Sequence, residues 1–175
     1  MIDAVCGELR EIFRDYRLLN KSGVIQEVRV FPQYIPQPAG ITFADKEQSG
    51  LEHYGESDYE ANFPGIVVKL GDMTDNEEGR IDHSRAGLRL LFGVYDDTAE
   101  SGGWRDVLAM MEKVRQKWLS ERLIARKFFV RMPLTARLLE ADTYPVYFGE
   151  MLAELETGRT SRPMDFVYRG YIGNG

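Results

Sequence analysis

Two apolar runs, "GIVVKL" at 65–70 and "AGLRLLFGVYD" at 86–96, restrict the possible folds of this chain more than any other feature. Both are rich in β-branched and aliphatic residues, and turn-forming residues flank them, so each predicts a strand. The segment between them, "GDMTDNEEGRIDHS" (71–84), is polar and acidic, and the reading is an antiparallel hairpin with 71–84 as its long tip. Such a pair must bury one face under another layer. Two amphipathic helices can supply it. Over residues 2–19, Ile2, Val5, Cys6, Leu9, Ile12, Phe13 and Leu19 recur at three- and four-residue spacing with Glu8, Arg10, Glu11 and Arg14 between them. "KSGV" closes this helix, with Gly23 suited to the left-handed conformation. A second helix runs from Ser101, whose hydroxyl is expected to cap it, to roughly residue 124, and its inner face is read as Trp104, Val107, Leu108, Met111, Val114, Trp118 and Leu119. Burying such side chains contributes about 1.5–3 kcal/mol each before entropy is subtracted.

Further strands are predicted at "VIQEVRVF" (24–31), "KFFVRM" (127–132) and "YPVYFGEMLAELE" (144–156). Residues 32–62 hold three of the seven prolines and many acids, and read as a long, partly mobile loop. The resulting expectation is an α+β fold in which a single antiparallel-rich sheet carries both helices on one face, in the order α-β-β-β-α-β-β. One domain is expected over 1–156, followed by a polar, aromatic extension at 157–175 containing Phe166, Tyr168 and Tyr171.

Searches for chemistry fail one by one. A calcium-hand register starting at Asp72 places Glu77 where glycine is needed and His83 where the bidentate glutamate is needed. His53 and His83 have no helical partner at zinc-ligand spacing, and the single cysteine, Cys6, falls in an apolar helix pattern and reads as a buried hydrophobe. His83–Ser84 are neighbours in sequence, which builds no triad. Phosphate-binding glycine patterns are absent, and an adjacent pair such as Asp96–Asp97 is expected by chance among 28 acids. No catalytic residue, metal or cofactor is therefore expected. A net charge of −6 opposes phosphate binding, so no specific nucleic-acid partner is expected. No membrane partner is expected either, because no stretch reaches membrane-spanning length and the N-terminus lacks a signal-peptide pattern, which points to a soluble protein that stays in the cytoplasm.

Charge is unevenly distributed. Asp72, Asp75, Glu77, Glu78 and Asp82 crowd the hairpin tip, whereas Lys113, Arg115, Lys117, Arg122, Arg126 and Lys127 follow along the second helix and beyond it. Part of the basic charge complements a helix dipole. The rest predicts a head-to-tail contact between copies, acidic loops on basic face, which closes into a ring if the rotation allows.

Three stretches, "FPGIVVKLGD", "LRLLFGVYDDTAESGGWRDVLAMMEKVRQKWL" and "TYPVYFGEMLAELE", together resemble the tail terminator (tail completion) proteins of long-tailed bacteriophages and prophages. The resemblance covers residues 1–156 as an order of elements and rests most on "GVYD…GWRDVL" and on the late "YPVYFGE" strand. It implies a non-catalytic virion subunit that assembles as a ring, usually a hexamer, at the head-proximal end of the tail tube. There it stops tube growth and meets a head-side connector. The implied partners are other copies of the chain, the tail tube protein and the connector, and the implied locations are the host cytoplasm during assembly and then the virion. The long 32–62 segment and the aromatic extension depart from the family pattern. Two alternatives stay open at this level: another neck or head-closure protein, and a small cytoplasmic enzyme or ligand-binding domain with 32–62 as its lid.

Overall fold

The apolar runs at 65–70 and 86–96 form paired strands, and both strands continue far beyond the apolar residues. A computed structural model describes residues 1–35, 62–78, 81–98, 100, 102–139 and 144–157. Its elements are α1 (Ile2–Ile12), β1 (Arg17–Leu19), β2 (Ile25–Glu27), β3 (Arg29–Pro32), β4 (Gly65–Glu78), β5 (Ile81–Tyr95), α2 (Gly103–Ser120), β6 (Leu123–Ile124), β7 (Phe128–Leu138) and β8 (Val146–Thr157). Six strands form one sheet in the order β3-β4-β5-β8-β7-β6, and β1 and β2 form a separate two-stranded sheet. The fold is α+β and mostly antiparallel, as expected from the sequence. The expectation of a single sheet, and of seven elements, is corrected: the residues before β3 build a small hairpin of their own.

That hairpin explains the shorter first helix. The predicted helix 2–19 stops at Ile12, because Arg17, Leu18 and Leu19 pair with Glu27, Gln26 and Ile25. Arg17 also bonds the Glu27 carboxylate at 2.6 Å across the pair. Gly23 does adopt a left-handed φ of 68°, but it does so in the β1–β2 turn and not at a helix end. The Asn20 side chain tightens the same turn by accepting from the Ser22 and Val24 amides, each at 2.9 Å. Leu19, placed on the helix's apolar stripe by its spacing, is exposed.

The registers place alternate residues of the large sheet on opposite faces. On one face Ile66, Val68, Leu88, Leu90, Phe92, Val94, Val130, Met151 and Leu155 join a single buried cluster with Val5 and Leu9 of α1, Phe13 at its C-cap, and Val107, Met110, Met111, Val114 and Trp118 of α2. Both helices thus share one core. Gly149 is where α2 comes nearest to β8, since a Cβ there would lie 2.7 Å from Val107 Cγ1. The predicted inner face of α2 is rotated by about one position: Gly103 and Met110 are buried, whereas Trp104, Leu108 and Leu119 are exposed. Gly103 can seat the start of α2 against Tyr147 only because it has no side chain, a Cβ there falling 2.5 Å from that ring.

β3 and β4 run parallel, with Arg29 to Pro32 beside Gly65 to Val68. The connection between them is therefore a crossover and not a hairpin loop. Most of the predicted 32–62 loop, and the 157–175 extension apart from Thr157, lie outside the described residues.

Candidate interaction surface

The acidic stretch at 71–84 is strand over its described residues, 71–78 and 81–84. β4 and β5 stay in register through Met73↔Ala86, Thr74↔Arg85, Asp75↔Ser84 and on to Glu78↔Ile81, after a bulge between Leu70 and Met73. Backbone ladder bonds do not need apolar side chains, so a polar hairpin can extend where its neighbour supplies the pairing. Residues 71–78 and 81–84 therefore form an arm. Asp72, Met73 and Asp75 on it are exposed, and the Ser84 hydroxyl donates to the Asp75 carboxylate. Glu77, Glu78 and Asp82 sit on the arm's strands, and their side chains lie outside the described set.

The predicted basic residues divide into two groups. On α2, Arg115 bonds both oxygens of Glu112 at 2.9 Å, and Lys117 bonds Glu121 at 2.6 Å. Lys113 sits 5.9 Å from the Tyr16 ring centroid. Arg115 and Lys117 of the predicted basic face are thus each engaged by a carboxylate about one turn away, and Lys113 lies beside an aromatic ring. Arg122, Arg126 and Lys127 lie elsewhere, at the corner where α2 passes through β6 into β7, and have no ion pair among the described residues. The corner is a tight hairpin closed by the Lys127 amide donating to the Ile124 carbonyl at 3.0 Å. Its two central residues, Ala125 and Arg126, both take left-handed φ values of 48° and 56°.

A cluster that the sequence did not reveal lies on the sheet face away from the helices. Glu150 of β8 is 2 % exposed there. One carboxylate oxygen accepts from Arg89 Nε at 2.7 Å and Nη2 at 2.6 Å, and the other from Arg137 Nε at 2.6 Å and Nη2 at 2.5 Å. Further along β8, Arg131 bonds Glu156 at 2.6 Å, and Arg131 and Arg85 each approach Glu154 at 3.8 Å. Beside this ladder runs an open groove of about 390 Å³ lined by Gly71, Thr74, Arg85, Gly87, Arg89 and Leu152. The alternation of Glu150, Glu154 and Glu156 is visible in the sequence. Their partners are from 13 (Arg137–Glu150) to 69 (Arg85–Glu154) residues away, and only the strand order β5-β8-β7 brings them alongside.

The chain matches no protein-family model and no curated protein. Its candidate site therefore rests on geometry. Among the described residues no three His, Cys, Asp or Glu side chains gather as ligands for an ion, and no helix is long and apolar enough to cross a membrane. His53 and the His83 side chain lie outside the described residues. Cys6 is buried in the core, and burial pushes its thiol above the ordinary range. Asp96 holds the entry to α2 together. Its carboxylate accepts from the Thr98 amide at 2.9 Å and from the Gly102 and Gly103 amides, where the helix begins. Burial alone would raise this carboxyl, but those bonds hold it below its usual value. The cap of α2 thus comes from Asp96. Ser101, predicted to do it, lies outside the described residues, and Gly102 occupies the cap position.

Glu150 follows the same logic. Burial would raise its carboxyl, yet the Arg137 and Arg89 hydrogen bonds and charges hold it below the ordinary 4.5. A depressed folded value means a contribution to stability that is complete above pH 4.5 and disappears as the pH falls through the folded value. Glu150→Gln, which cannot ionise, is expected to be less stable than the wild type near neutrality, with the gap closing on acidification. Urea denaturation at a series of pH values measures this, and a gap that stays constant into acid would assign the loss to packing alone.

Proposed function

We propose that this chain is a structural subunit of a long-tailed phage or prophage, resembling a tail terminator. It assembles as a ring, a hexamer by that resemblance, on the head-proximal end of the tail tube, stops tube growth and presents a surface to the head-side connector. It does so without catalysis or cofactor, in the host cytoplasm during assembly and then in the virion. The observation that carries the reading is the charged second face of the six-stranded sheet, with an acidic arm at one edge and a basic corner at the other. A sheet with one face on the core and the other ordered by ion pairs such as Arg89–Glu150–Arg137 provides a stiff plate. The charged arm and corner on that plate provide complementary surfaces for identical neighbours.

The test mixes the full chain with the purified tail tube protein encoded in the same genome. Tubes are expected to become shorter, with the chain found at one tube end by electron microscopy. Unchanged tube lengths with no bound chain would overturn the reading, and retention on the connector alone would reassign the chain to the neck.

A further inference from the structure

The acidic arm and the basic corner lie at the same end of the sheet. Phe128 is level with Thr157, Thr157 with Ser84, and Ser84 with Asp75, so one row of residues crosses β7, β8, β5 and β4. At about 4.8 Å per strand, that row spans roughly 14 Å. Its β4 end carries Asp72 and Asp75 around Met73, which is 66 % exposed. Next to its β7 end, Leu123 and Phe129 stand opposite each other across β6 and β7 and are 49 % and 41 % exposed. Arg122, Arg126 and Lys127 surround that apolar pair in sequence. Each edge therefore has an apolar centre and a charged rim, the arrangement found in specific interfaces, and the two rims have opposite sign.

We propose that the arm of one copy docks on the β6–β7 corner of the next, with Met73 against Leu123 and Phe129, and Asp72 and Asp75 facing Arg122, Arg126 and Lys127. This rests on the assembly reading above and specifies its interface. The neighbour's occupancy follows from charge complementarity, since Arg115 and Lys117 of α2 are already paired with Glu112 and Glu121. Contact is through side chains and not by adding a strand, because β6 has two residues and the free edge of β7 is interrupted by Pro133 at a bulge. Because both halves sit at one level along the strands, the contact repeats by rotation about an axis parallel to them without climbing. Such a heterologous contact closes into a ring when its rotation divides a full turn, and otherwise runs on as a filament.

Two charge-reversed variants test it. One carries Asp72→Lys, Asp75→Lys, Glu77→Lys and Glu78→Lys, and the other carries Arg122→Glu, Arg126→Glu and Lys127→Glu. Light scattering after gel filtration at low salt is expected to show a multi-subunit wild type and two monomeric variants with wild-type circular dichroism. An equimolar mixture of the variants is expected to regain the wild-type mass, because each reversed edge then faces its complement. If either variant assembles alone, or the folded mixture stays monomeric, this interface is wrong while ring formation stands. A wild type that stays monomeric would overturn the assembly reading as well. Met73→Ser leaves every charge in place and is expected to weaken association by about tenfold or more. Unchanged association would overturn the interface even if a reversed variant failed to fold.

Discussion

Trp118→Ala is expected to lower the unfolding free energy by about 3–5 kcal/mol, the range for removing a large buried aromatic side chain. Trp118 is 1 % exposed and belongs to the cluster in which both helices and the sheet meet, so no loop can collapse into the space it leaves. For a chain of this length that loss corresponds to a melting-temperature drop of roughly 10 °C. Calorimetry or thermal circular dichroism measures it. The comparison with Trp118→Phe is sharper. The indole N–H is buried and has no hydrogen-bond partner among the described residues. Phenylalanine would remove that unpaired donor, whose burial costs about 1–3 kcal/mol, while leaving a small void. The two effects oppose, and Trp118→Phe is expected within about 1 kcal/mol of the wild type. A loss as large as that of alanine would show that the N–H is satisfied in solution.

Gly149→Ala is the second large effect, acting by overpacking and not by a cavity. The added carbon would lie 2.7 Å from Val107 Cγ1 and 3.0 Å from both Met111 Sδ and Cε. The methionine can swing aside, but the β-branched Val107 has little rotamer freedom on a helix. Part of α2 must therefore lift from β8, at a cost of about 1–3 kcal/mol. Val107→Ala in the same chain is expected to recover part of the loss. A double-mutant cycle in which the two losses simply add would place the strain elsewhere.

The sequence is legible wherever one face is apolar. The strands around Ile66 and Leu90, the late strand through Met151, and the face of α2 through Val107, Met111, Val114 and Trp118 all show the period that a shared core imposes. It is illegible where pairing proceeds without burial. The arm from Gly71 to Ser84 has no apolar alternation, so its strands resemble a loop in sequence although the β4–β5 ladder continues through them. β6 is hidden because its turn uses Ala125 and Arg126, whose left-handed φ values are usually signalled by Asn-Gly. Leu19 fits a helical stripe as well as a short strand, and only the pairing partner 25–27 decides between them. Of the candidate site, the acidic and basic halves are visible as charge runs. Their separation across one sheet, the internal pairing of the α2 cations, and the Glu150 clamp each require the strand order.

The bulge between Leu70 and Met73 settles which way the arm looks. Up to Leu70 the two strands match residue for residue, and beyond it β4 is one residue longer than its partner. With a side-chain period of two, that surplus residue lets odd-numbered Met73 stand on the side that even-numbered Leu70 holds at the base, and it bends the strand there. Excising it would put Met73 two places after Leu70, so Met73 would still stand opposite Ala86 and keep its side, while the local bend and extra twist of the bulge would be lost. The side each arm residue faces is thus fixed by its partner on β5, and the bulge governs the direction in which the whole projection leaves the sheet.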